Sequence, residues 1–159
     1  LWNLGKMEWK IPADQSCTHK WNLAVWYNDW ILLRGLFMRL KNILLVVDDL
    51  EKSTAFYKEL FGLMVLKDFG GNVILTEGLV LQERKIWEEL IEQCAVYGGN
   101  VSELYFVENN LEAFQEKLEN CSFEINYVHK LKEYPWGQKA IRIYDPDGHM
   151  IEIGETASV

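Results

Sequence analysis

The sequence predicts an α+β domain made of two tandem βαβββ units, and two observations carry that prediction. The first is an internal repeat, in which the run from Asn42 to Leu50 (NILLVVDDL) lines up with the run from Glu103 to Leu111 (ELYFVENNL). Each copy is an apolar, β-rich stretch, then an Asp or Asn pair suited to capping a helix, then an amphipathic segment. Near the end of each copy, Gly78 to Gln82 (GLVLQ) matches Gly148 to Glu152 (GHMIE). A period of this kind has to be recognised first, because missing it misassigns the whole fold. The second observation is the turn Asp145-Pro146-Asp147-Gly148 between two β-rich runs, Ala140 to Tyr144 and Met150 to Ile153. Proline presets φ, glycine accepts a positive φ, and the Asp side chains bond back to the backbone, so the stretch reads as a hairpin.

The elements follow in order. Alternation in the first strand puts Asn42, Leu44 and Val46 on one face and Ile43, Leu45 and Val47 on the other, toward a helix layer. Asp48 and Asp49 then cap a helix over Leu50 to Phe61, whose apolar face is Leu50, Phe56, Tyr57 and Leu60. Met64 to Lys67 and Val73 to Leu75 flank a glycine-rich hairpin at Phe69-Gly70-Gly71-Asn72. Thr76-Glu77-Gly78 turns the chain into a fourth strand, Leu79 to Glu83. Apolar residues at helical spacing (Ile86, Trp87, Leu90, Ile91, Cys94) predict a connecting helix over about 85–97, stopped by Gly98-Gly99. In the second unit a helix is predicted over Leu111 to Leu118 and a strand over Phe123 to Val128. A charged loop with an aromatic end follows, Lys130 to Gly137, before the closing hairpin.

The units account for residues 38–159, as about 38–84 and 101–159. Residues 1–37 stand outside the repeat and hold five of the seven tryptophans: Trp2, Trp9, Trp21, Trp26 and Trp30. Two readings of this extension stay open. Either it is sequence upstream of a native start at Met38, or it is a cap whose tryptophans cover an apolar patch or the cup mouth. The formal net charge of -8 argues against a nucleic-acid backbone as partner. Leu23 to Leu40 is too interrupted by Asn28, Asp29 and Arg34 to span a bilayer, so no membrane association is expected. Cys17, Cys94 and Cys121 are odd in number and include no CxxC pair. With no export signal at the start, they fit buried or idle thiols in a reducing, cytoplasmic setting.

The closing hairpin, entered through Pro135-Trp136-Gly137 and carrying a glutamate inside its second strand, resembles that of the vicinal oxygen chelate superfamily. The superfamily includes glyoxalases, extradiol dioxygenases, fosfomycin-modifying enzymes and bleomycin-binding proteins. The resemblance implies that the two units close one cup-shaped, mostly antiparallel eight-stranded sheet with helices outside, around a single site. Metal-binding members take one ligand from the first and one from the last strand of each unit, commonly His or Glu. Residue by residue, that pattern falls on Asn42 and Gln82 in the first unit and on Glu103 and Glu152 in the second. None is a histidine, and zinc, nickel and ferrous sites rely on imidazole or thiolate. The expected cofactor is therefore none; the open alternatives are a hard divalent metal ion held through Glu103 and Glu152, and a transition-metal site.

Two function classes follow from the resemblance. One is a small-molecule-binding protein of the bleomycin-resistance type, working as a homodimer, with Asn42, Gln82, Glu103, Tyr105, Tyr134, Trp136 and Glu152 around the ligand. The other is a glyoxalase-like lyase, thiol transferase or dioxygenase, whose ion would polarise vicinal oxygens of the substrate. A metal-free enzyme would use Glu103 as its base. The ligand census favours binding. Because Glu103 and Glu152 would repel each other in one cup, the expected ligand is cationic and partly aromatic. His129 is a weaker acid–base candidate, since a lone histidine is more often a satisfied surface residue.

Overall fold

The computed structural model describes residues 38–155; the tryptophan-rich segment 1–37, with the two readings given to it, lies outside the described residues. The element order is β1 (Ile43–Val47), α1 (Leu50–Phe61), β2 (Val65–Asp68), β3 (Asn72–Leu75), a 3-10 turn (Thr76–Gly78), β4 (Leu79–Glu83) and α2 (Arg84–Ile91). It continues with β5 (Glu103–Val107), α3 (Leu111–Asn120), β6 (Asn126–Glu133), β7 (Lys139–Tyr144) and β8 (Met150–Gly154). The strands form two four-stranded sheets of identical order, β1-β4-β3-β2 and β5-β8-β7-β6. In each, the first strand of the unit runs parallel to the last and the other pairings are antiparallel. The sequence repeat is thus a repeat in space. The edge strands β1 and β5 share no ladder, but both border one cleft, through Ile43, Gly78 and Leu79 on one side and Glu103 to Phe106 on the other.

Period-2 alternation decides which side of each sheet is buried. Val47, Leu79 and Leu81 of the first sheet and Ile141, Ile143, Ile151 and Ile153 of the second enter one apolar core, with Phe56, Tyr57 and Leu60 of α1 and Leu111, Phe114 and Leu118 of α3. Aromatic contacts join the units: Phe61 stacks on Phe106 at 4.2 Å, and Phe56 meets Phe123 edge-on at 5.3 Å. The two helices are also tied by Lys117 Nζ, which donates to the Leu60 carbonyl at 2.7 Å, and by Glu59, which accepts from the Ser122 backbone and hydroxyl. Both helix starts are capped as their sequences predict. Asp49 accepts from Lys52 N at 2.9 Å and Asn110 from Ala113 N at 2.9 Å.

The Asp-Pro-Asp-Gly turn does more than reverse the chain. Asp145 Oδ1 accepts from the backbone of Asp147 and His149, which shapes the turn, and Gly148 takes the positive φ of 86° that closes it. The side chains of the turn also reach the first unit. Asp145 Oδ2 accepts from the buried Tyr57 hydroxyl at 2.7 Å, and Asp147 accepts from Asp48 N and Ser53 Oγ, each at 2.7 Å. His149 Nε2 donates to the Val46 carbonyl at 2.9 Å. One tight turn clasps both ends of the first unit's β1–α1 connection.

Three sequence expectations shift. The connecting helix, expected to about residue 97, ends at Ile91 because Glu92 takes a left-handed φ of 54° and the helix has no fully buried residue to extend it. The strand expected at Phe123 to Val128 is β6, Asn126–Glu133, so the loop before β7 shrinks to Tyr134–Gln138. Of the Asp pair expected to cap the first helix, only Asp49 does so; the Asp48 side chain instead pairs with Arg84 Nε at 2.8 Å and accepts from the Tyr97 hydroxyl at 3.2 Å. Among the described residues, no helix is long and apolar enough to cross a membrane.

Candidate functional site

The face of the second sheet turned away from the core carries the polar residues. Cross-strand register sets Tyr105 opposite Glu152, Glu152 opposite Arg142, and Arg142 opposite His129, so these four form one row across β5, β8, β7 and β6. Glu103 lies two residues before Tyr105 on β5 and shares its face. Across this row the Arg142 guanidinium uses all three of its nitrogens. Nε donates to Glu103 Oε2 at 3.1 Å, Nη1 donates to the Tyr134 hydroxyl at 2.6 Å, and Nη2 forms an ion pair with Glu152. Glu152 is buried, so its charge requires such a partner. Burial opposes the charge on Arg142, but the Glu103 hydrogen bond and the attraction of Glu152 outweigh it and hold the guanidinium above its usual range.

Further side-chain contacts carry the network outward to the rim. His129 Nδ1 lies 3.0 Å from the Lys130 carbonyl, an acceptor, which places the ring proton there and leaves Nε2 to accept from the Tyr134 hydroxyl at 2.8 Å. Tyr134 and Trp136 stack with ring centroids 4.6 Å apart and planes within 3°. Trp136 remains 69% exposed and donates from Nε1 to Gln138 at 3.1 Å. Gln138 donates in turn to the Tyr105 hydroxyl at 3.4 Å. Gly154 admits the Tyr105 ring, because a Cβ there would collide with it.

Of the seven residues selected from the sequence, the structure therefore joins five, Glu103, Tyr105, Tyr134, Trp136 and Glu152, into one network through Arg142 and Gln138. Gln82 stands at the repeat-equivalent position in the first sheet, buried, but its amide is engaged there. Oε1 accepts from Asn72 Nδ2 and Nε2 donates to the Gly71 carbonyl, both at 2.8 Å. Asn42 immediately precedes β1, beside Gly78. Sequence reasoning passed over Arg142 and Gln138. Arg142 was legible: a turn that pairs Tyr144 with Met150 must also pair residue 142 with residue 152.

A glyoxalase-like domain model matches residues 40–158, and the chain belongs to that family, within the vicinal oxygen chelate superfamily. The fold recurs in solved structures. A protein of unknown function from Agrobacterium tumefaciens str. C58 is 32% identical over 76% of this chain and 95% of its own, with a TM-score of 0.64. A glyoxalase-related enzyme from Fulvimarina pelagi is 21% identical over 76% and 89%, with a TM-score of 0.65. A lactoylglutathione lyase from Agrobacterium tumefaciens is 24% identical over 75% and 94%, with a TM-score of 0.59. The last two show the shared fold alone. No curated protein matches the chain.

Metal-binding members of the superfamily hold an ion at the four positions, and three of the side chains found there are already engaged with other groups. Glu103 and Glu152 are held by a guanidinium, and the Gln82 oxygen is turned to Asn72. Among the described residues, no group of three or more His, Cys, Asp and Glu side chains converges as a metal ion requires.

Proposed function

We propose that the protein binds a small, planar, cationic molecule on the open face of its second sheet and releases it unchanged. The observation that carries this reading is the Tyr134–Trp136 stack beside the Glu103–Arg142–Glu152 cluster. The outer face of the indole is open, and flat ligands stack on such a surface. Within the cluster two carboxylates face one guanidinium, and Lys132 Nζ stands 5.2 Å from the Tyr134 ring, so the preference for a cation rests on the open indole face. A cation against the indole adds roughly 0.5–2 kcal/mol. Catalysis by Glu103 as a base is disfavoured in this reading, since its carboxylate already accepts from Arg142.

The protein works as a homodimer in the same reading. Met64, Val65, Leu66 and Phe69 lie exposed along and just beyond the edge strand β2, an arrangement that soluble proteins usually cover.

A thermal-shift comparison of matched aromatic cations and aromatic anions tests the ligand. Aromatic cations raise the thermal midpoint of the wild-type protein, and Trp136→Ala removes most of that shift without changing the midpoint of the free protein. If anionic thiol adducts stabilise the protein and cations do not, the binding reading fails and a glyoxalase-like enzyme takes its place.

A further inference from the structure

We propose that Arg142 is a tethered cation filling the place between Glu103 and Glu152 that metal-binding members of the superfamily give to a divalent ion, so that this chain closes the site to free metal. Two carboxylates on neighbouring strands, one of them buried, need a positive charge between them. Here the chain supplies it. The register of the closing hairpin sets Arg142 directly opposite Glu152, and Nε reaches across β8 to Glu103 at 3.1 Å. The Tyr134 hydroxyl, accepting from Nη1 at 2.6 Å, holds the guanidinium plane in place, and it donates its own hydrogen to His129 Nε2 so that a Tyr134 lone pair faces Arg142. A free ion entering this site would have to displace a cation already in contact with both carboxylates, against like-charge repulsion at short range. A planar guanidinium with five N–H donors suits the position, because it serves two carboxylates and a hydroxyl at once. The inference stands apart from the identity of the ligand, and its test uses none.

The probe is Mn²⁺, a hard ion that oxygen ligands alone can hold, titrated calorimetrically into full-length protein stripped with chelator. Wild-type protein shows no saturable Mn²⁺ uptake, and neither does Arg142→Lys, which keeps a cation in place. Arg142→Gln exposes both carboxylates and gains a saturable site at least about tenfold tighter than any wild-type binding. Mn²⁺ then raises the thermal midpoint of Arg142→Gln alone, and adding Glu152→Gln abolishes the gain. The proposal is overturned if wild-type protein binds Mn²⁺ as tightly as Arg142→Gln, or if folded Arg142→Gln gains nothing. Should Arg142→Gln not fold, the wild-type protein decides: the ¹⁵N signal of Arg142 Nε is followed during the titration. Paramagnetic broadening at equimolar Mn²⁺ sinks the proposal, and an unbroadened signal supports it.

Discussion

Two buried charged residues of the closing hairpin solve the same problem in different ways. Glu152 is compensated by a full opposite charge, Arg142, whereas Asp145 is held by neutral donors: the Tyr57 hydroxyl and two backbone amides. Burial raises the Asp145 carboxyl above its ordinary 3.8, and the attraction of His149 and the hydrogen bonds only partly offset it. Burial, with Asp145 nearby, also raises Tyr57 well above 10.0, so the phenol stays a donor at all ordinary pH. A carboxyl whose folded value is raised costs stability above that value, and the cost is relieved as pH falls through it toward 3.8. Wild-type stability relative to Asp145→Asn should therefore rise as pH is lowered from 7 to about 4.5. Urea unfolding of both proteins at the two pH values measures it. If the wild type instead loses ground to the variant on acidification, the neutral donors stabilise the carboxylate more than burial opposes it.

The helices show local chemistry and tertiary packing agreeing. Asp49 and Asn110 sit at repeat-equivalent positions and make the same cap, each accepting from the amide three residues on. Asp49→Ala and Asn110→Ala should each cost about 0.5–2 kcal/mol, read from chemical denaturation, and should add in the double variant because the caps share no partner. A coupling of more than about 1 kcal/mol would mean that the two helices are not independent at their starts. The connecting helix α2 is the contrary case. Its apolar spacing is as regular as that of α1, yet none of its residues is fully buried, and periodicity without a surface to pack against did not carry it past Ile91. β6 departs for a related reason. Lys130 and Lys132 made 130–137 read as a charged loop, but alternating charged residues suit a strand with one face in solvent, and pairing with β7 extends it to Glu133.

At the scale of the whole molecule, the repeat builds two sheets of one order, and the clasp of Asp145, Asp147 and His149 fastens them at the β1–α1 connection. The family match begins at residue 40 and the apolar core runs from Val47 to Ile153. A chain starting at Met38 should therefore keep the thermal midpoint of the full-length protein and, by light scattering, the mass of a dimer. A large loss of stability would identify residues 1–37 as a packed cap; a monomeric mass for both proteins would remove the dimer from the proposal.

Short-range patterns had already determined the framework. Alternation told the core face of β1 from its outer face, Asp and Asn marked the helix starts, and Asp-Pro-Asp-Gly fixed the hairpin and, through its register, the pairing of residues 142 and 152. The repeat supplied the two units, and the family pattern pointed to Glu103 and Glu152. Tertiary structure decided what else those carboxylates meet. That Arg142 reaches Glu103 depends on β5 lying beside β8, and that Gln82 is spent on Asn72 depends on how β3 returns along β4. Hydrophobic period and turn chemistry act over a few residues and are written along the chain. The contact of Arg142 with Glu103, 39 residues away, is settled between strands that only the fold sets side by side, where donor and acceptor come within hydrogen-bonding distance at 3.1 Å.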